Sequence, residues 1–84
     1  MRISTKGRYA LRVMIDLARS GKDDFVKLHE LSARQQISEK YLEGILGSLV
    51  RGQLLEGARG KGGGYRLKVK PEKCSVWQIL SLME

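Results

Sequence analysis

The sequence predicts a mainly α-helical domain with one small β-hairpin, an α+β fold. Three observations predict it. Apolar residues recur at helical spacing over residues 10–18, 42–50 and 76–83. Between the second and third of these runs, two short extended-type segments, 54–58 and 65–69, flank a glycine-rich stretch. Serine stands just ahead of each run, where a helix N-terminus needs a side-chain acceptor.

The elements follow in order. Ser4-Thr5 offers the first N-cap, and Ala10, Val13, Met14, Leu17 and Ala18 make one amphipathic stripe, with Arg8, Arg12 and Arg19 toward the polar side. The helix ends before Ser20-Gly21, where glycine suits a stop. Lys22-Asp23-Asp24 reads as a turn, and Phe25-Val26 as a short extended piece. A second, short helix covers Leu28 to Arg34, with Leu28 and Leu31 inward and Lys27 a poor cap. Gln35-Gln36 breaks the pattern. Ser38 caps the third helix, Glu39 favours its positive end, and Leu42, Ile45, Leu46, Leu49 and Val50 form its stripe. Gly52 is placed at its C′ position. After the hairpin, Pro71 stops the second strand. Ser75 and Gln78 form a capping box for a last helix lined by Val76, Ile79, Leu80 and Met83, with Trp77 beside them. Helix, short helix, turn, helix, hairpin, helix is the layout of a winged helix-turn-helix domain. In such a domain the second helix of the pair enters a DNA major groove and the hairpin tip reaches the flanking backbone or minor groove.

The chain has 84 residues, enough for one domain, 1–84, and one modest core. Its apolar runs are too short to span a membrane, and its first residues lack the h-region of a signal peptide. A single cysteine, Cys74, excludes an internal disulfide, and no Cys/His cluster has metal-ligand spacing. A cytoplasmic, nucleoid-associated location follows as the expectation. The net charge is +7, and from Glu39 to Lys70 seven basic residues face three acidic ones. A basic segment of this kind suits a polyanionic partner.

The stretch "ARGKGGGYR", residues 58–66, carries four of the ten glycines. A phosphate-binding P-loop fails there, because Leu55 stands where the first glycine belongs and Gly62 where Ser or Thr belongs. A dinucleotide fingerprint fails at Tyr65. A linker is excluded by the apolar 76–83 run, which needs the same core. Two readings remain, a structural hairpin and a nucleic-acid wing. Arg59 and Lys61 cannot be buried unpaired, and glycines beside them let backbone N–H groups approach phosphate. They favour the wing: Arg59 in the minor groove, Lys61 on a phosphate, and Gly60 and Gly62 allowing close approach.

No enzyme is expected. His29 is the only histidine and reads as a surface residue. Cys74 reads as a buried structural thiol. Trp77 and Tyr9 are expected to pack, and Met14 and Met83 to lie in the core. On the third helix Leu42 points inward, leaving Ser38, Lys40, Tyr41 and Glu43 outward. The first three suit phosphate contacts. Glu43 is either a reader of a cytosine amine or a solvated or Lys40-paired carboxylate.

At these residues a resemblance is specific. "MRISTKGRYAL", "ISEKYLEGIL" and "RGKGGGYRL" resemble the Rrf-two family of bacterial winged-helix transcription regulators, in order and spacing from Met1 to Glu84. The resemblance implies a dimeric DNA-binding regulator, a repressor, of iron–sulfur, nitrosative-stress or cysteine genes. It implies major-groove contacts from Ser38, Lys40, Tyr41 and Glu43, minor-groove entry by Arg59 with its glycines, and backbone contacts from Ser4, Thr5 and Lys6. Many family members bind an iron–sulfur cluster on three cysteines downstream of this region, followed by a long dimerisation helix. The chain ends before both, so no cofactor is expected within it and its own dimer is expected to be weak or absent. A DNA-binding fragment and a natural short form both fit, and the apolar stripe ending at Met83 favours a fragment. Arg8 stands where some members carry an acidic ligand. Lys61 replaces a frequent proline, and Gln36 a frequent glycine, which implies mild strain in the turn. The expected partner is a palindromic double-stranded operator, with no membrane. A module docking a partner protein through its last helix is the alternative, and RNA binding is disfavoured because Tyr65 is the only aromatic near the tip.

Overall fold

Three serines start three of the four helices. In the computed structural model, which describes residues 2–20 and 24–84, the Ser4 hydroxyl accepts from the Gly7 N–H at 3.0 Å and α1 runs Thr5–Arg19. The Ser38 hydroxyl accepts from the Tyr41 N–H at 3.1 Å and opens α3, Glu39–Arg51. Ser75 and Gln78 form the expected reciprocal capping box of α4, Val76–Ser81. The exception is α2, Leu28–Gln35, whose cap Lys27 makes no side-chain bond. Its geometry comes from tertiary packing through the fully buried Leu31.

The core forms where these stripes meet. Ala10, Val13, Met14 and Leu17 of α1 face Leu31 of α2 and the fully buried Leu42, Ile45, Leu46 and Leu49 of α3. Each fully buried leucine or isoleucine contributes on the order of 1.5–3 kcal/mol. The α2–α3 connection is tight. Gln36 takes a left-handed conformation, φ 54°, and Ser32 donates its hydroxyl hydrogen to the Ile37 carbonyl. The strain anticipated for Gln36 has its cause there, since non-glycine residues rarely adopt positive φ.

The hairpin pairs β1, Leu55–Ala58, with β2, Gly64–Leu67, antiparallel, from Leu55 opposite Leu67 to Ala58 opposite Gly64. The extended piece at Phe25-Val26 is its third edge. Val26 N–H donates to Tyr65 O at 2.9 Å, and Tyr65 N–H to Val26 O at 2.8 Å. Arg66 of β2 pairs with Glu56 and stacks 4.2 Å from the Phe25 ring centre. A 3₁₀ turn at Pro71–Lys73 ends the hairpin's return, as proline there requires.

Several expectations are corrected. Val76 and Trp77 do not line the core; they are 56% and 60% exposed, because the first turn of the short α4 projects past it. Cys74 is half-buried rather than buried, and Ala18 is exposed. Gly52 is the C-cap with an ordinary φ, and Gln53 takes the left-handed position at φ 67°. What Gly52 supplies is room, since a Cβ there would overlap Leu82. Lys22 and Asp23 of the expected turn lie outside the described residues. Tyr9, Met14 and Met83 pack as expected.

Candidate nucleic-acid interface

The start of α3 is the first part of the site. Capping by Ser38 turns the helix so that Leu42 faces the core and Lys40, Tyr41 and Glu43 stay exposed. The Ser38 oxygen is engaged by the Tyr41 amide, which leaves its O–H free to donate. One open depression brings Lys6 of α1 together with Ser38, Lys40, Tyr41 and Gly44. Four residues expected at the site from two distant segments therefore converge, and two of them are lysines. A Cβ at Gly44 would meet nothing within 4 Å, so glycine there leaves the depression open rather than filling it. Ser4 serves as the α1 cap, with its hydroxyl hydrogen likewise free to donate, and Thr5 is exposed beside it. Glu43 is exposed and makes no ion pair with Lys40 among the described residues.

The wing tip is the second part. Gly63 N–H donates to Gly60 O at 3.0 Å, closing a turn with Lys61 and Gly62 at its centre. Gly62 has φ 81°, the positive value that the third position of a type II turn requires. Lys61 holds the second position, the one proline favours, which accounts for the family preference it replaces. Arg59, Gly60, Lys61 and Gly62 are all exposed. The wing is held against the body at Gly64, whose φ is 140° and whose missing side chain lets Val26 pair with Tyr65.

A second depression adjoins the wing. It lies between the end of α3 and the wing arms and is lined by Gly47, Arg51, Gly57, Arg59 and Tyr65. Arg51 is a contributor that sequence reasoning passed over. It stands in the last turn of α3, and the signal that could have found it is its helical spacing from Gly44 and Gly47, seven and four residues back on one face. The 13 residues of α3 span roughly 20 Å, with Lys40 and Lys6 of α1 near one end and Arg51 and Arg59 of the wing near the other. No helix among the described residues is long and apolar enough to cross a membrane.

A helix-turn-helix pair with a cationic hairpin beside its second helix defines the class of winged helix-turn-helix domains. Comparison with known proteins places the chain within that class. The family profile Rrf2, "Iron-dependent Transcriptional regulator", matches residues 3–84, and the chain belongs to this family. It is 44% identical over 86 residues to the HTH-type transcriptional regulator IscR of Cereibacter sphaeroides, covering all of this chain and 56% of that protein. The solved structure of T. potens IscR superposes with a TM-score of 0.90 at 36% identity, covering all of this chain and 61% of that one. CymR, the global cysteine regulator of B. subtilis, does so with a TM-score of 0.93 at 34% identity, over all of this chain and 65% of that one. The chain spans about half the length of the curated relatives it matches.

Iron chemistry does not fit the residues described. Cys74 is the single cysteine of the chain. Among the described residues no three of His, Cys, Asp and Glu converge as metal ligands. Burial pushes the Cys74 thiol above its ordinary value, which reduces the thiolate that metal binding needs.

Proposed function

We propose that this chain is the DNA-reading part of a transcription regulator, a repressor that acts as a homodimer on a palindromic operator in the bacterial cytoplasm. The observation that carries it is the convergence of Lys6, Ser38, Lys40 and Tyr41 at the start of α3. At the other end of α3 a second depression brings Arg51 together with Arg59 of the wing. In this reading the first turn of α3 enters the major groove, Lys6, Lys40 and Lys61 neutralise phosphates, and Arg59 enters a narrow minor groove, which A·T-rich flanks favour. Glu43 accepts from a cytosine amine.

Selection of bound duplexes from a random pool tests the proposal. Enrichment of a palindrome supports it, with a cytosine preference that disappears in Glu43→Ala. An unenriched pool overturns it. A second reading, docking of a partner protein through the last helix, is favoured by the exposed Val76 and Trp77. A protein complex insensitive to salt, with no duplex bound, would support that reading instead.

A further inference from the structure

Tyr41 is the aromatic side chain at the start of α3, and it is not free to swing. Its ring forms a T-shaped pair with that of Tyr9 from α1, with centres 5.9 Å apart and planes at 85°. Tyr9 is half-buried, and the guanidinium of Arg12 lies 5.1 Å from the centre of its ring. Arg12 in turn reaches the end of α2. Its Nε donates to Gln35 Oε1 at 3.0 Å and its Nη2 to the Gln35 carbonyl at 3.4 Å. Gln35 Nε2 then donates to Asp16 Oδ2 at 2.9 Å, and Asp16 Oδ1 pairs with Arg34 at 3.0 Å. A continuous set of contacts therefore runs from the first turn of α3, across α1, to the last turn of α2. It straddles the segment that contains the strained Gln36.

Exposed hydrogen bonds of this kind contribute little each to stability. Their consequence is orientation. The α2–α3 turn sets the angle at which α3 leaves the body, and α1 grips both sides of it. Tyr9 packs against one side of Tyr41, while 40% of the residue stays exposed for a ligand. We infer that Tyr9 and Arg12 are positioning residues for DNA reading: they hold Tyr41 and the start of α3 in the orientation that a duplex requires. The inference rests on the proposed reading of α3 as the DNA-contacting helix. Neither residue need touch DNA. The edge-to-face pair holds the rotamer before binding, and the ordering cost this removes is worth up to about tenfold in affinity.

The test uses the duplex enriched by selection, a random-sequence duplex of equal length, and a salt titration on each. Tyr9→Leu is expected to weaken binding to the enriched duplex up to about tenfold, with binding to the random duplex and the salt slope little changed and the domain still folded at the assay temperature. Tyr9→Phe keeps the ring edge and should retain wild-type affinity. Arg12→Met, at an exposed position, should repeat the Tyr9→Leu pattern at smaller size. In a Tyr41→Leu background, Tyr9→Leu should add almost nothing. Six outcomes overturn the inference. Tyr9→Phe losing as much as Tyr9→Leu would mean a direct hydroxyl contact. A slope reduced by about 0.9 in Arg12→Met would make Arg12 a phosphate ligand. Equal losses on both duplexes, or losses tracking the melting temperature, would mean general packing. Unchanged affinity in both variants would remove positioning alone, whereas a wild type that prefers no duplex removes the DNA reading as well.

Discussion

Gly64→Ala should detach the wing. At φ 140° an L residue is strained, by about 1–3 kcal/mol. The added Cβ would overlap the Val26 carbonyl oxygen and lie 3.0 Å from the Lys27 nitrogen, both rigid backbone atoms. The chain relieves the overlap by giving up the Val26–Tyr65 bridge, two backbone bonds of 2.9 and 2.8 Å. Each contributes about 0.5–1.5 kcal/mol. Strain and lost bonds are partly alternatives, so the expected cost is about 2–4 kcal/mol, a large share of the stability of a domain this small. Gly62→Ala is the control. It has positive φ but nothing within 4 Å of a Cβ, so only the conformational cost of about 1 kcal/mol applies. Urea unfolding followed by far-UV circular dichroism measures both. Equal losses in the two variants, or a Gly64→Ala loss below about 0.5 kcal/mol, would refute the role given to Gly64 in mooring the wing.

Two further perturbations separate stability from function. Lys61→Pro fits the second position of the tip turn and should stabilise the chain by about 0.4–1 kcal/mol, while lowering the salt slope of duplex binding by about 0.9; a slope that does not move removes Lys61 as a phosphate ligand. Burial raises the Cys74 thiol, so the folded state holds its proton longer than the unfolded chain does. This contribution is fully present below the ordinary thiol value and is lost as the pH climbs past it toward the raised value. Cys74→Ala should therefore flatten the fall in urea midpoint on the alkaline side of neutrality; parallel curves for the two proteins would show that burial does not act there.

Local chemistry was legible wherever one residue acts on its neighbours. Ser4, Ser38 and the Ser75–Gln78 box are caps because their oxygens reach amides three residues on, and sequence spacing shows that directly. The wing was legible for the same reason, since a turn needing positive φ collects glycines. Lys6, Lys40 and Tyr41 were each expected at the site, but that they line one depression is seen only in the structure. Contacts between distant segments were not legible. Val26 and Tyr65 are far apart in sequence, and nothing in Phe25-Val26 names its partner. The Arg12–Gln35 bonds and the Tyr9–Tyr41 pair join residues that are individually ordinary. Trp77 and Val76 were misplaced because periodicity gives the phase of a six-residue helix but not where the core ends along it. Gly52 was assigned for its conformational freedom, whereas the role it has, admitting Leu82, depends on a residue far along the chain.

The central claim is that α3 and the wing together read a DNA duplex. Its most direct measurement is the affinity of wild type and Arg59→Ala for the enriched duplex across a range of salt concentrations. With Lys6, Lys40 and Lys61 on phosphates, log K should fall against log salt with a slope of about 3 per bound chain. Arg59→Ala should remove the preference for A·T-rich flanks while the core sequence is still chosen. Salt-independent binding, or an Arg59→Ala protein with unaltered flank preference, would contradict the account.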